Sequence, residues 1–390
     1  MSAGVTTRRA FRPMLGDATG ALADLGVLVP LAAALILVNG LDAGAVFLCA
    51  GLLVLGAGVA FRIPFPVQPL KALTAVAVAQ ELAPGVIHAA GLELAAFLLL
   101  LSVGNVAGLV ARIFVKPVVR ALQLGVGALL VIAAVRLVAD PPEVFASPPS
   151  PWPMVLAAVA FAAVAVAAHR GRFVWALVLF AAGLVATVLA TSPELSGPSL
   201  SIPELAIPPG SAFSTAFVLL VVPQLPLTFG NAVVAVNDLS HEYFGESAHR
   251  VTPSRVCRSA GIANAGSALL GGMPMCHGAG GLTAHVRLGA ATAGMNVLLG
   301  SVFLILGLFF AVQIPMVLGL LPVSVLAAFL AYAGVRHAWL VADLRGGPLA
   351  IALVTGGLGA WRGNLAITAA LALALEHGRR VLLARHRTSA

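Results

Sequence analysis

GGMPMCHGAGGL, residues 271–282, decides the fold. It lies in a chain of 390 residues that is 60% hydrophobic and only 9% charged, too little charge to clothe a soluble surface. The chain reads as an integral membrane protein. Its apolar runs of about 15 to 25 residues, bounded by Pro, Gly or charge, read as spanning helices and not as the alternating strands of a barrel. Five glycines, a proline, a cysteine and a histidine are costly inside such a helix, where leucine would insert more readily. Gly271, Gly272 and Pro274 must therefore break the chain, and a short helix is expected to begin near Cys276 or His277.

A second break has the same design. In RIPFPVQPLKALTAVAVAQEL, residues 62–82, Pro64, Pro66 and Pro69 forbid helix, and a short helix is expected from near Leu70. Pro66 and Pro274 are 208 residues apart, about half the chain. The spacing predicts an all-α membrane protein of about fourteen segments in two repeats of seven, near 16–38, 43–60, 67–82, 86–113, 117–138, 152–168, 172–191, 211–238, 254–271, 276–289, 291–313, 320–342, 347–361 and 363–384. The third and tenth segments are half-helices. An odd number of spans per repeat inverts the second in the membrane. The organisation expected is a cytoplasmic tail (1–15), a first repeat (16–191), an extracytoplasmic loop (192–210), an inverted second repeat (211–384) and a basic cytoplasmic tail (385–390).

Charge supports this topology. With the N-terminus inside, all of the 22 Lys and Arg except Lys71, Arg136 and Arg362 fall on the cytoplasmic side. Asp42, Glu81, Asp140, Glu143, Glu194 and Glu204 fall on the other. The net charge of +8 punctuates the spans without forming one soluble basic face, so nucleic acid is not an expected partner. Cys49, Cys257 and Cys276 lack pairing or metal spacing, so neither a disulfide framework nor a metal site is expected, and nothing calls for a cofactor. The N-terminal MSAGVTTRRAFRP lacks a clear cleavage site and reads as retained in a multi-pass protein of the cell (inner) membrane.

Paired interrupted segments in two halves point to a transporter site, because non-helical backbone is tolerated at membrane depth only where it lines a cavity or is buried in protein. Each helix N-terminus presents unpaired N–H groups and roughly half a positive charge, so two of them favour an anion. Gly278, Gly280 and Gly281 leave the backbone N–H groups open to an oxyanion. Gln68 and His277 can add donors; Lys71 can neutralise charge or pair with Asp24. Cys276 beside them either contacts the ligand or simply packs, and His277 has a blander reading as a helix cap. Gln224, Thr228 and Asn231 share one face of the eighth segment and either line the cavity or join helices. Asp24, a carboxylate within the first span, is the coupling candidate, or else a fixed partner for Lys71. Asp238 and Glu242 read as solvated or paired with Arg255 or Arg258, and His285 and Arg287 as cytoplasmic anchors.

The blocks RIPFPVQPLKALTAVAVA, VVPQLPLTFGNAVVAVNDLS and GGMPMCHGAGGLTAHVRLGA, with LGDATGALADLGVLVP before them, together resemble the molybdate transporter family related to the sulfate permeases. The resemblance covers most of the chain. It implies a core domain of spans 1 to 4 and 8 to 11, a gate of spans 5 to 7 and 12 to 14, and a homodimer. Two departures follow. No C-terminal regulatory (STAS) domain is expected after the last span, and the eighth span reads Thr228, Phe229, Gly230, Asn231 where several relatives carry a coupling carboxylate. The function expected is a secondary active importer of a tetrahedral oxyanion, molybdate first and sulfate as the alternative, with a proton or sodium ion as possible coupling partner. An uncoupled anion channel is a second class. A nucleobase transporter of this architecture would commonly place carboxylates at the eighth and tenth spans. An enzyme using Cys276 and His277 is disfavoured, since adjacent helical positions point about 100° apart.

Overall fold

The computed structural model describes residues 15–25, 28–103, 115–141, 152–170 and 197–388, with isolated positions at 106 and between 178 and 192. Helices form where the apolar runs lie: α1 (Leu15–Leu25), α2 (Leu28–Leu37), α3 (Ala43–Phe61), α4 (Lys71–Ala79), α5 (Pro84–Leu101), α6 (Lys116–Ala139) and α7 (Pro153–His169). The second half holds α8 (Ala212–Ala248), then α9 (Pro253–Leu269), α10 (Ala279–Arg287), α11 (Gly294–Phe309), α12 (Gln313–Gly319), α13 (Val323–Ala338), α14 (Gly346–Arg362) and α15 (Leu365–Thr388). Among the described residues, α3, α5, α6, α8 and α13 (with its extension to Asp343) are long and apolar enough to cross a bilayer, by length and composition.

Before α4 and α10 the chain is extended. Gln68–Pro69 (β1) pairs antiparallel with Met275–Cys276 (β2), Gln68 opposite Cys276 and Pro69 opposite Met275. The Leu70 amide adds a bond to the Pro274 carbonyl at 3.1 Å. Proline supplies this geometry on both sides, because it fixes φ and removes the donor that a helix would need. The pairing satisfies part of the buried backbone that the breaks would otherwise leave orphaned.

One offset relates the two halves. Lys71 and Ala279, which open α4 and α10, are 208 residues apart, as are Ala79 and Arg287, which close them. Phe61 and Leu269, ending α3 and α9, keep the same spacing, as do Leu101 and Phe309, ending α5 and α11. Helices exchange partners across the halves: α3 packs on α11 and α5 on α9. Close approach of α3 and α11 rests on small residues at seven-residue spacing. A Cβ on Gly51 would meet the Leu304 amide nitrogen at 2.7 Å, and one on Gly300 would meet the Gly51 carbonyl oxygen at 3.0 Å. Tight packing of this kind takes the place of the hydrophobic drive that lipid does not provide. A second group forms around α6, which packs on α13, α14 and α15.

Four expectations change. The first segment is not one continuous described helix: α1 ends at Leu25 and α2 begins at Leu28. The segment at 291–313 ends as α11 at Phe309, and α12 turns away by 108°. The second short helix begins at Ala279 and not at Cys276 or His277, because the Met275–Cys276 backbone is committed to β1. His285 is no interfacial anchor. It is fully buried, and its Nδ1 donates to the Gly20 carbonyl at 2.8 Å. Among the described residues neither Asp238 nor Glu242 pairs with Arg255 or Arg258. Asp343 instead takes Lys116 at 2.9 Å and Arg120 at 2.7 Å, tying the start of α6 to the turn beyond α13. The expected seventh segment, the N-terminal tail and the loop at 142–151 lie largely or wholly outside the described residues.

Candidate functional site

The extended pair brings the starts of α4 and α10 together, and the two starts are finished differently. At α4 the amides of Ala72 and Leu73 both donate to Gln224 Oε1, each at 3.1 Å. Gln224 Nε2 in turn donates to Thr228 Oγ1 at 3.1 Å. Both side chains come from α8, where Pro223 and Pro226 delete backbone donors and residues Thr228–Ala235 widen into a π-helical turn. Such turns shift side chains relative to a regular helix and recur at functional sites. Gln224 is thus a cap supplied from another element.

At α10 the cap residue is Gly278, which has no side chain to offer. Among the described residues no acceptor meets the amides of Ala279 and Gly280, and Gly280 is exposed. Around Gly278 three polar groups converge: a Cβ there would lie 2.9 Å from Gln68 Oε1, 3.5 Å from Lys71 Nζ and 3.7 Å from Asn231 Nδ2. Lys71 Nζ donates to Gln68 Oε1 at 2.7 Å, which orients the Gln68 amide so that its Nε2 lies over Gly281. The result is two free backbone donors, an amide donor from Asn231 and an ammonium at one helix start. That set matches an oxyanion.

His277 stands elsewhere. It is fully buried, with its ring against Phe61 and Phe65, at centroid distances of 5.6 and 4.9 Å. Its Nδ1 lies 2.9 Å from the Pro66 carbonyl, which can only accept, so Nδ1 carries a proton; Nε2 meets the Ser259 hydroxyl at 3.0 Å. Both ring nitrogens are therefore engaged by protein, and the ring pins the first break from behind. Cys276 is buried in β2 opposite Gln68, with its thiol free of any disulfide. Asp24 belongs to α1, but its side chain lies outside the described residues. Of the residues singled out by sequence, Gln68, Lys71, Asn231 and Gly278 come together; Gln224 and Thr228 sit one step away at α4.

Sequence reasoning missed the residues that hold the breaks in place. Asn264 of α9 brackets Met275: its Oδ1 accepts from the Met275 amide and its Nδ2 donates to the Met275 carbonyl, both at 2.8 Å. Asn296 of α11 does the same to Phe65, at 3.0 and 2.7 Å. Glu93, midway along α5, has a shielded Oε2 without a donor among the described residues. An isolated polar residue within an apolar run was the available signal in all three cases.

The family sequence model described as a molybdate transporter of the MFS superfamily matches residues 16–130 and 216–336. Molybdate transporter 1 of Arabidopsis thaliana is 30% identical over 377 residues, covering 87% of this chain and 82% of that protein. Molybdate transporter 2 of the same plant is 29% identical, covering 85% and 80%. Among solved structures, the transmembrane domain of the cyanobacterium bicarbonate transporter BicA aligns with a TM-score of 0.66 at 15% identity, over 92% of this chain and 98% of that one. The murine Slc26a9 anion transporter in its inward-facing state aligns at 0.68 and 12% identity, over 95% and 69%. These two likenesses establish a shared fold. With the family model matched over more than half of its length, this multi-pass membrane protein belongs to the molybdate transporter family of anion transporters.

Proposed function

We propose that the chain is a secondary active transporter that imports molybdate, held at the start of α10 by the amides of Ala279 and Gly280, the Lys71 ammonium and the Asn231 amide. The observation that carries this reading is the contrast between the two helix starts: one is capped by Gln224, while the other is uncapped, glycine-lined and faced by a cation. A dianion meets about half a positive charge from the helix start, with the Lys71 ammonium and the surrounding amides as further donors. Gln68, Gln224 and Thr228 order the site, with His277 and Cys276 behind it.

The 208-residue offset supports two inverted seven-segment repeats with α4 and α10 as half-helices. The two packing groups support a core of α1–α5 with α8–α11 that moves against a gate built around α6 and α13. We assign the cytoplasmic side to both termini and retain the homodimer as part of the proposal. Asp24 and Glu93 are the carboxylates proposed to carry a coupling proton, or a sodium ion in its place.

Binding to the purified protein, followed with labelled molybdate and challenged with sulfate, tungstate, bicarbonate and uracil, tests the reading. Lys71→Gln is expected to weaken molybdate binding about 10- to 100-fold, the scale of one lost charge-assisted hydrogen bond. Unchanged affinity in that variant would refute the site; displacement by sulfate at concentrations far below the dissociation constant of molybdate itself would reassign the substrate.

A further inference from the structure

A groove of about 590 Å³ runs between α3 and α9. Its walls are apolar, formed by Leu52, Gly56, Ile262, Gly266 and Leu270 among others, and one end carries Arg250, Arg255 and Arg258. It opens sideways, where Leu52 and Ile262 are 50% and 61% exposed on helices of a membrane protein. Two glycines give it depth: a Cβ on either Gly56 or Gly266 would meet nothing within 4 Å. From Arg255 to Leu270 the groove follows α9 for about 22 Å at 1.5 Å per residue, longer than one leaflet of a hydrocarbon core roughly 30 Å thick.

Among the described residues no carboxylate forms an ion pair with any of the three arginines. A guanidinium cluster at the mouth of a lipid-facing apolar groove fits a molecule with an anionic head and a long hydrocarbon tail. A second copy of the chain docking through this same face would set arginine against arginine, which disfavours that occupant. The inner wall includes Phe61 and Ser259, and both touch His277, so the occupant would lie directly behind the rear wall of the candidate anion site.

We propose that this groove is a binding site for one anionic phospholipid of the bilayer, its phosphate held by Arg250, Arg255 and Arg258 and an acyl chain laid between α3 and α9. The test uses the full chain in neutral detergent, with native mass spectrometry and thermal unfolding as readouts. Phosphatidylglycerol is expected to bind saturably at one per chain and to raise the melting temperature, with phosphatidylcholine and glycerol 3-phosphate much weaker. The R250Q/R255Q/R258Q variant is expected to lose on the order of a hundredfold in phosphatidylglycerol affinity, and the corresponding triple lysine variant to recover most of it. G56L and G266L fill the groove while keeping every charge, and are expected to abolish lipid binding. Equal binding of phosphatidylcholine, an equal effect of glycerol 3-phosphate, or undiminished phosphatidylglycerol binding in the groove-filling variants would each overturn the proposal.

Discussion

At the scale of single residues, the placement of Gly278 is set by close approach and not by backbone freedom. Its φ is −93°, available to any residue, but a methyl there would press on Gln68 Oε1 at 2.9 Å and displace the Lys71 contact. Gly278→Ala is therefore expected to abolish molybdate binding while the melting temperature moves by only a few degrees; retained affinity would show that the crowding is relieved elsewhere. Arg62 is the opposite case. It closes α3 in the left-handed region, with φ 58° and ψ 22°, and its amide bonds to the Gly58 carbonyl. A side chain in that conformation costs about 1 kcal/mol relative to glycine, so Arg62→Gly is expected to raise stability by roughly that amount, read from reversible unfolding in detergent. The sequence made Gly278, Gln68 and Lys71 legible, because glycine and polar residues beside proline breaks have few other uses in a membrane. It could not show the direction of the His277 ring. That depends on Pro66, Phe65 and Ser259, which converge on it from segments far away in the chain.

At the scale of elements, the two extended segments are held by a repeated device. Asn264 and Asn296 each bracket one backbone residue, Met275 and Phe65, satisfying an amide and a carbonyl at once. Replacing either by leucine leaves both groups without partners, and each buried orphan costs about 1–3 kcal/mol. Asn264→Leu and Asn296→Leu are expected to destabilise the protein by about 2–6 kcal/mol each. Unfolding midpoints check this, and a loss near zero in either variant would mean that water substitutes for the amide. The two residues are not equivalent under the 208-residue offset, since Asn264 corresponds to Gly56 and Asn296 to His88. His88 also bonds across the halves, to the Gly271 backbone. Existence of the short helices was legible from the prolines and glycines alone, because those residues change what the backbone can do locally. The start of α10 was misplaced by two or three residues because strand pairing between β1 and β2 is a contact across 208 residues, and no local pattern encodes it.

At the scale of the whole molecule, the proposed direction of transport opposes the membrane potential. Moving a dianion inward against 100 mV, inside negative, costs about 4.6 kcal/mol. Uncoupled, it would equilibrate with the interior depleted about two-thousandfold. An importer built on this fold must therefore carry positive charge with its substrate or exchange the anion for another. Three co-transported monovalent cations would make each cycle electrogenic inward, so that the potential drives uptake; two would make it electroneutral and leave the chemical gradient as the only source. Proteoliposomes separate these cases. With an inward proton gradient and a potassium diffusion potential of defined sign, coupled uptake of molybdate is expected to accumulate above the external concentration and to stop when the proton gradient is collapsed. Asp24→Asn and Glu93→Gln then divide the carboxylates: the one that binds the coupling proton is expected to lose accumulation while retaining molybdate binding, whereas the other leaves both intact. Accumulation that survives collapse of both proton and sodium gradients, with no counter-anion inside, would remove the coupled mechanism and leave the anion site without its proposed driving force.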